Sequence, residues 1–301
     1  MSSERPVTSY GPHLWMTALV AIWAGSIVVA KEGMKHLSPF ALVASRFLIG
    51  ALCILPFFLR TNAEQRRGTL VPGVIAGLVL AAPYFLQMYG VRETTASMGG
   101  FLNGLIVLLV AVGGHLFFGA RIGMRTIAGL LLGLGGIVTL CLTGDDDPEG
   151  PQHNTLRGIL LQIGAAVGYA THVLLLSHFG RKLAVAPFTF CQLGVTALLA
   201  TTATFLFSGL PADGQTSVTW SFELLLIVAY LGVLATGAAI GIQSNVQHRI
   251  PSTHVALLFA LQPLFAAIFG GLFHGDLLGP WQWTGGGLIV AGVVVTAFDR
   301  P

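Results

Sequence analysis

In a chain dominated by apolar residues, few side chains are equipped for chemistry. Gln87, Asn103, His172, Gln243 and Gln262 offer hydrogen bonds, while Trp23, Tyr84, Tyr169 and Tyr230 offer flat rings with a polar handle. These residues do not add up to a catalyst. The sequence has no nucleophile–base constellation, paired-carboxylate site or phosphate loop, and no His/Cys/Asp/Glu set with metal-ligand spacing. The expectation is therefore no enzyme, no metal and no cofactor. What such residues can do is recognise: rings stack on a flat or apolar solute, and amides hold an ammonium or a carboxylate without permanent charge. The competing explanation is that each one bonds a neighbouring helix, because an unpaired amide away from water costs about a few kcal/mol. Pro83 beside Tyr84 and Pro263 beside Gln262 lack the backbone N–H. They are expected to act as helix breaks or gating points that free carbonyls at similar depth.

Charge narrows the chemistry further. No Asp or Glu sits deep in an apolar segment; Glu32, Glu93, Glu223 and Asp276 fall near segment ends. Arg46 is the one charge well inside, expected to pair with one of those acids and to serve structure. An intramembrane carboxylate is the usual proton relay, and its absence favours facilitated diffusion, or coupling through some other group, over proton exchange at a central acid. His115, His178, His254 and His274 lie towards segment ends, where solvation explains them. His172 is deeper, and a satisfied structural histidine competes there with a titrating one. Cys53, Cys141 and Cys191 are odd in number and widely spaced, and read as small core residues.

The elements that must position these groups are set by composition. The chain is 54% hydrophobic and only 9% charged, against roughly 25% charged in ordinary soluble domains. Its mean hydropathy is +0.80. Most of its surface must face lipid. The net charge of +3 includes no clustered basic face, so nucleic acid is excluded as a partner; no obligatory protein partner is evident. About 20 apolar residues cross the hydrocarbon as a helix. Ten segments qualify: 14–31, 39–59, 70–90, 95–118, 122–143, 156–178, 187–208, 221–242, 252–273 and 281–298. Glycines spaced by four, such as Gly73/Gly77 and Gly129/Gly133, predict closely packed helices. Trp15, Trp220, Trp281 and Trp283 fall at segment ends, as interfacial anchors do.

The sequence also repeats itself. Residues 97–141 and 253–297 run alongside each other, matching Leu105/Leu261, Gly114/Gly270, Leu116-Phe117/Leu272-Phe273, Gly119/Gly275, Gly123/Gly279, Gly129/Gly285 and Gly136/Gly292. Ten spans place both termini on one side. Arg5, Arg60, Arg66, Arg67, Arg121, Arg125, Arg181, Lys182, Arg249 and Arg300 gather there, so that side is cytoplasmic. Five spans per half make the second half inverted relative to the first. The expected fold is an all-α membrane protein, ten transmembrane helices in two inverted five-helix repeats. Residues 1–143 form the first repeat, 144–155 an acidic periplasmic linker, and 156–301 the second.

Several motifs, in order along the chain, resemble the ten-helix EamA-type members of the drug/metabolite transporter superfamily. These are Trp23-Ala24-Gly25-Ser26, Ser38-Pro39 followed by Ser45-Arg46-Phe47, Leu261-Gln262-Pro263-Leu264, and Gly275-Asp276 before Gly285 and Gly292. The family's turn usually carries Glu where this chain has Ala120 and Asp276, and Val107 stands where the other copy keeps Pro263. The resemblance implies a basket in which spans 1, 3, 4, 6, 8 and 9 surround a central cavity, with spans 5 and 10 peripheral. It assigns Trp23, Tyr84, Gln87, Asn103, Tyr169, His172, Tyr230, Gln243 and Gln262 to cavity spans. Their aromatic content is similar to that of bacterial aromatic amino acid exporters. The expected function is export of small organic solutes, amino acids and their analogues, across the inner membrane by alternating access. Partners are then a small-molecule substrate and membrane lipid. A carrier of drugs, phosphorylated metabolites or nucleotide sugars is the first alternative. A membrane sensor or scaffold is the second, and it lacks a sizeable soluble segment.

Overall fold

Local chemistry starts and stops the helices much as the sequence implies. The computed structural model describes residues 11–119, 123–142, 154–179, 183–207, 221–246, 258–259, 261–275 and 278–298. They form α1 (Gly11–Gly33), α2 (Pro39–Leu59), α3 (Ala63–Arg92), α4 (Ala96–Asn103), α5 (Leu105–Phe118), α6 (Met124–Leu142), α7 (Leu156–Phe179) and α8 (Val185–Phe207). Then follow α9 (Phe222–Ala229), a π-helical segment (Tyr230–Ala238), α10 (Ala239–Val246), α11 (Gln262–His274) and α12 (Pro280–Ala297). Ser38 caps α2 by accepting the Ala41 N–H, with Pro39 in the first turn where its missing donor is harmless. Thr95 and Ser221 cap α4 and α9 in the same way. Among the described residues, seven helices are long and apolar enough to cross a membrane, and Met124–Leu140 forms a shorter apolar helix. The chain is an all-helical membrane protein.

Its surface is apolar, unlike that of a soluble fold, and its largely apolar core encloses a set of polar side chains. Phe205, Phe222 and Phe117 are 76% exposed; patches of this kind are stable only against lipid. Arg46, Gln87, Asn103, Gln162, Gln192, Thr196 and Thr236 are all buried. Trp15, Trp281 and Trp283 are exposed at helix ends, where interfacial anchors belong.

Packing follows a two-fold pattern. α6 packs on α12, α2 on α8, and α4 on α11. α3 packs on α7 and α8, while the span containing α9, the π segment and α10 packs on α1 and α2. α1 packs on α11, and α4 and α5 pack on α7. Exchanging the two halves leaves this scheme unchanged. At the α6–α12 seam the repeat is visible atom by atom. A Cβ on Gly136 would lie 2.5 Å from the Gly285 carbonyl oxygen, and one on Gly292 2.5 Å from that of Gly129. These four glycines make up two of the pairs that the sequence repeat aligns, Gly129/Gly285 and Gly136/Gly292, each packing on a member of the other pair as in a self-complementary interface. Gly119 and Gly275, also aligned, both end their helices at φ 66, a left-handed turn that favours glycine.

The structure departs from the expected spans at four points. α3 begins at Ala63, not residue 70, because Asn62 and Gln65 form a reciprocal capping box that starts the helix in its polar stretch. The fourth span breaks at Gly104 into α4 and α5, where a Cβ would lie 3.1 Å from both Pro263 and Ile289. The eighth carries the π segment. Pro83 does not interrupt α3; it removes a donor to the Val79 carbonyl, and its ring packs where Gly168 leaves room on α7. Residues 144–153 of the expected linker lie outside the described residues.

Candidate functional site

Helix geometry places Tyr84 and Gln87 one turn apart on a single face of α3. The site builds outward from them. The Tyr169 hydroxyl of α7 donates to Gln87 Oε1 at 2.8 Å, and Gln87 Nε2 donates to Asn103 Oδ1 at 3.2 Å. Asn103 is the last residue of α4 before the break. The Tyr84 and Tyr169 rings meet edge to face at 5.3 Å, and Phe47 closes on Tyr84 at 4.6 Å. Four of the expected site residues, from three helices, are thus brought into one cluster.

Arg46 joins that cluster from α2. It is only 2% exposed, with its guanidinium carbon 4.8 Å from the centre of the Tyr84 ring. Its Nε donates to Thr236 Oγ1 at 3.1 Å, and the Thr236 hydroxyl donates to the Leu231 carbonyl at 2.8 Å, within the π segment. The expected ion pair with an outer-end acid is absent among the described residues. Glu32 holds Lys35 at 2.6 Å, Glu93 holds Arg157 at 3.0 Å, and Glu223 lies 4.0 Å from His36; Asp276 lies outside the described residues. The acids stay at the helix ends because a carboxylate there keeps solvent, whereas carrying one to the depth of Arg46 adds a second desolvation cost.

A second group fastens α1 to the π segment. Trp23 Nε1 donates to the Ala235 carbonyl at 3.0 Å, and the Tyr230 hydroxyl donates to the Ile22 carbonyl at 2.8 Å. Each helix contributes one ring and one backbone oxygen. Trp23 also stacks on Phe259 at 5.9 Å. The remaining expected residues lie elsewhere. His172 on α7 bonds Gln192 of α8 at 2.9 Å. Gln243 is half-buried on α10, and Gln262 is buried beside Pro263 in the first turn of α11.

Thr236 and Gln162 were not singled out by the sequence. A threonine in an apolar run carries no positional signal, and the wider turn that aims it at Arg46 depends on partners distant in sequence. Gln162 is completely buried, its amide set against Gly90 and Gly99. Its place in the first half of an apolar span was the available clue. At one end of the bundle, polar ties join four helices. Lys31 Nζ donates to the Thr94 carbonyl at 2.7 Å, the Thr95 N–H donates to Asn154 at 2.8 Å, and Arg157 pairs with Glu93.

Such an arrangement is a membrane-embedded helix bundle with a polar centre at helix irregularities, the general plan of a solute carrier. Comparison with known proteins agrees. The EamA-like transporter family pattern matches twice, over residues 11–142 and 156–298. The chain belongs to the EamA-like transporter family. It is 26% identical over 288 residues to an uncharacterised transporter of Archaeoglobus fulgidus, covering 93% of this chain and 84% of that one. It is also 26% identical over 294 residues to a protein of Salmonella typhimurium named "probable amino-acid metabolite efflux pump", covering 93% and 92%. An Escherichia coli protein of the same name is 24% identical, with the same coverage. A solved crystal structure superposes with a TM-score of 0.66 at 20% identity, over 96% of each chain, and so shares the fold.

Proposed function

We propose that the protein exports small organic solutes, amino acids and their analogues foremost, across the inner membrane by alternating access. The observation that carries this reading is the continuous string Thr236–Arg46–Tyr84–Tyr169–Gln87–Asn103. It is built by helices from both halves of the chain and meets a helix break at one end and a π segment at the other. Irregular backbone at membrane depth is tolerated where it lines a cavity or is buried in protein, and discontinuous helices hold the substrate in many carriers. The names of the Salmonella and Escherichia relatives support amino acids as cargo.

In this reading the ten spans form two inverted five-helix repeats, residues 1–143 and 156–301. They are joined by a periplasmic linker at 144–155, and both termini are cytoplasmic. Tyr84, Gln87, Asn103 and Tyr169 face the solute. Trp23 and Tyr230 set the position of the π segment against α1, and Gln243, Gln262 and His172 line the remaining wall. Pro83 and Pro263 mark points at which the helices flex. Movement of one repeat against the other breaks the polar ties at Glu93, Thr94 and Thr95 and opens the site to the periplasm. No acid is available at the depth of the cluster among the described residues, so transport runs down the solute gradient. A phosphorylated cargo would ask for more buried cations than Arg46 alone.

The test is reconstitution of the purified protein into proteoliposomes loaded with a panel of labelled amino acids. Efflux above that of empty vesicles, little changed by an imposed pH gradient, supports the reading. Background rates for the whole panel would refute amino acid export, and efflux driven by the pH gradient alone would refute the uncoupled mechanism.

A further inference from the structure

We infer that Arg46 is a carboxylate receptor, and that this transporter selects solutes carrying a carboxylate beside a flat or apolar body. The inference rests on reading the central cluster as the solute site. A guanidinium has five N–H donors in a planar fork and never loses its charge in a protein. Arg46 gives Nε to Thr236 and lays its plane by Tyr84; Nη1 and Nη2 bond no described residue. A nearly fully buried cation is normally paired, because desolvating it is costly. Here the described residues supply a π face and a hydroxyl in place of an anion. A role in packing alone would be met more readily by an apolar side chain of similar size.

The surroundings fit an incoming anion better than a permanent one. The fork matches a carboxylate through two parallel hydrogen bonds. Bonding through Nε fixes the fork's orientation, and the Thr236 hydroxyl that receives it is itself held by Leu231. The Tyr84 and Phe47 ring centres stand 4.8 and 5.8 Å from its guanidinium carbon, and the Tyr169 ring packs on Tyr84, a set suited to an apolar body. The Gln87 amide lies one turn beyond Tyr84 on α3 and bonds Asn103 of α4, and the two amides can take up an ammonium. Arg46 and Thr236 come from opposite halves of the chain, so an anion drawing on the fork acts where the halves meet.

The experiment is equilibrium binding to the intact protein in lipid nanodiscs, with each probe tested as the acid and as its primary amide: phenylalanine, leucine and 3-phenylpropionate. For the wild type the acid should bind about tenfold or more tightly than its amide in at least one pair, the difference one charged hydrogen bond makes. Arg46→Gln should erase that preference, and Arg46→Lys should retain part of it. Equal binding of acid and amide, binding of neither, or a preference that survives Arg46→Gln would overturn the inference. Where Arg46→Gln does not fold, the wild-type pairs and Arg46→Lys decide. Amino acid efflux without any acid preference would sink this inference and leave the export reading standing. Arg46-dependent acid binding without efflux would do the opposite.

Discussion

The α6–α12 seam and the central cluster are built on opposite rules. At the seam, like meets like: Gly129 and Gly285 occupy equivalent places in the two copies, as do Gly136 and Gly292, and each backbone closes on the other copy's. At the centre the halves differ. α2 and α8 both carry Pro-Phe in the first turn, at Pro39-Phe40 and Pro187-Phe188, yet seven residues after that proline one has Arg46 and the other Gly194. Span 3, which the exchange of halves pairs with span 8, runs unbroken as α3, whereas span 8 carries the π segment. Duplication supplies a scaffold in which symmetry is kept where helices only have to pack. Symmetry is lost at the central cluster, the place where the proposed function puts a solute, which has no two-fold axis of its own.

Substitutions can separate the two regions. The largest effect is expected at the seam. Gly136→Leu drives a side chain into the Gly285 carbonyl and Ile289, and overpacking of this kind costs about 1–3 kcal/mol. Thermal unfolding in detergent should show a lowered midpoint, with efflux per folded molecule unchanged. A variant as stable as wild type would mean that the seam yields and is no scaffold.

Tyr84→Ala comes next. It removes the ring against Arg46, Tyr169 and Phe47, and solute efflux should fall about tenfold for a stacking contribution of roughly 1.4 kcal/mol, with the folded yield preserved. Smaller again is Tyr169→Phe, which deletes one hydrogen bond to Gln87 and should slow efflux a few-fold, about 1 kcal/mol. Combined with Gln87→Ala it should cost less than the two singles added, because both break the same bond. Full additivity would show that Tyr169 and Gln87 act separately. Least of all is Leu52→Val on the lipid face, where the side chain is 55% exposed; stability and efflux should both match wild type.

Much of the fold was legible because lipid simplifies the code. Apolar span length and the glycine repeat act locally, and among the described residues seven long apolar helices and the aligned glycines of α6 and α12 reappear near their expected places. The site was half legible. Tyr84, Gln87, Asn103 and Tyr169 stood out as polar groups in apolar runs, and they meet. His172 stood out by the same criterion and lies apart from that cluster, bonded to Gln192, because depth along a helix does not say which neighbour a side chain faces. Arg46 was visible, but its partner was not. The π segment that delivers Thr236 has no composition of its own. It is fixed by Trp23 at Ala235, Tyr230 at Ile22 and Arg46 at Thr236, contacts that exist only once the halves have come together.

Solute protection at the cluster probes the central claim most directly. In a background with Cys53, Cys141 and Cys191 replaced by serine, the Asn103→Cys variant should be alkylated by a small maleimide. A transported amino acid at saturating concentration should slow that alkylation several-fold. It should leave unchanged the rate for Glu64→Cys, at an exposed position in the first turn of α3. Alkylation of the Asn103→Cys variant at the same rate with and without solute would contradict a solute site between α3, α4 and α7.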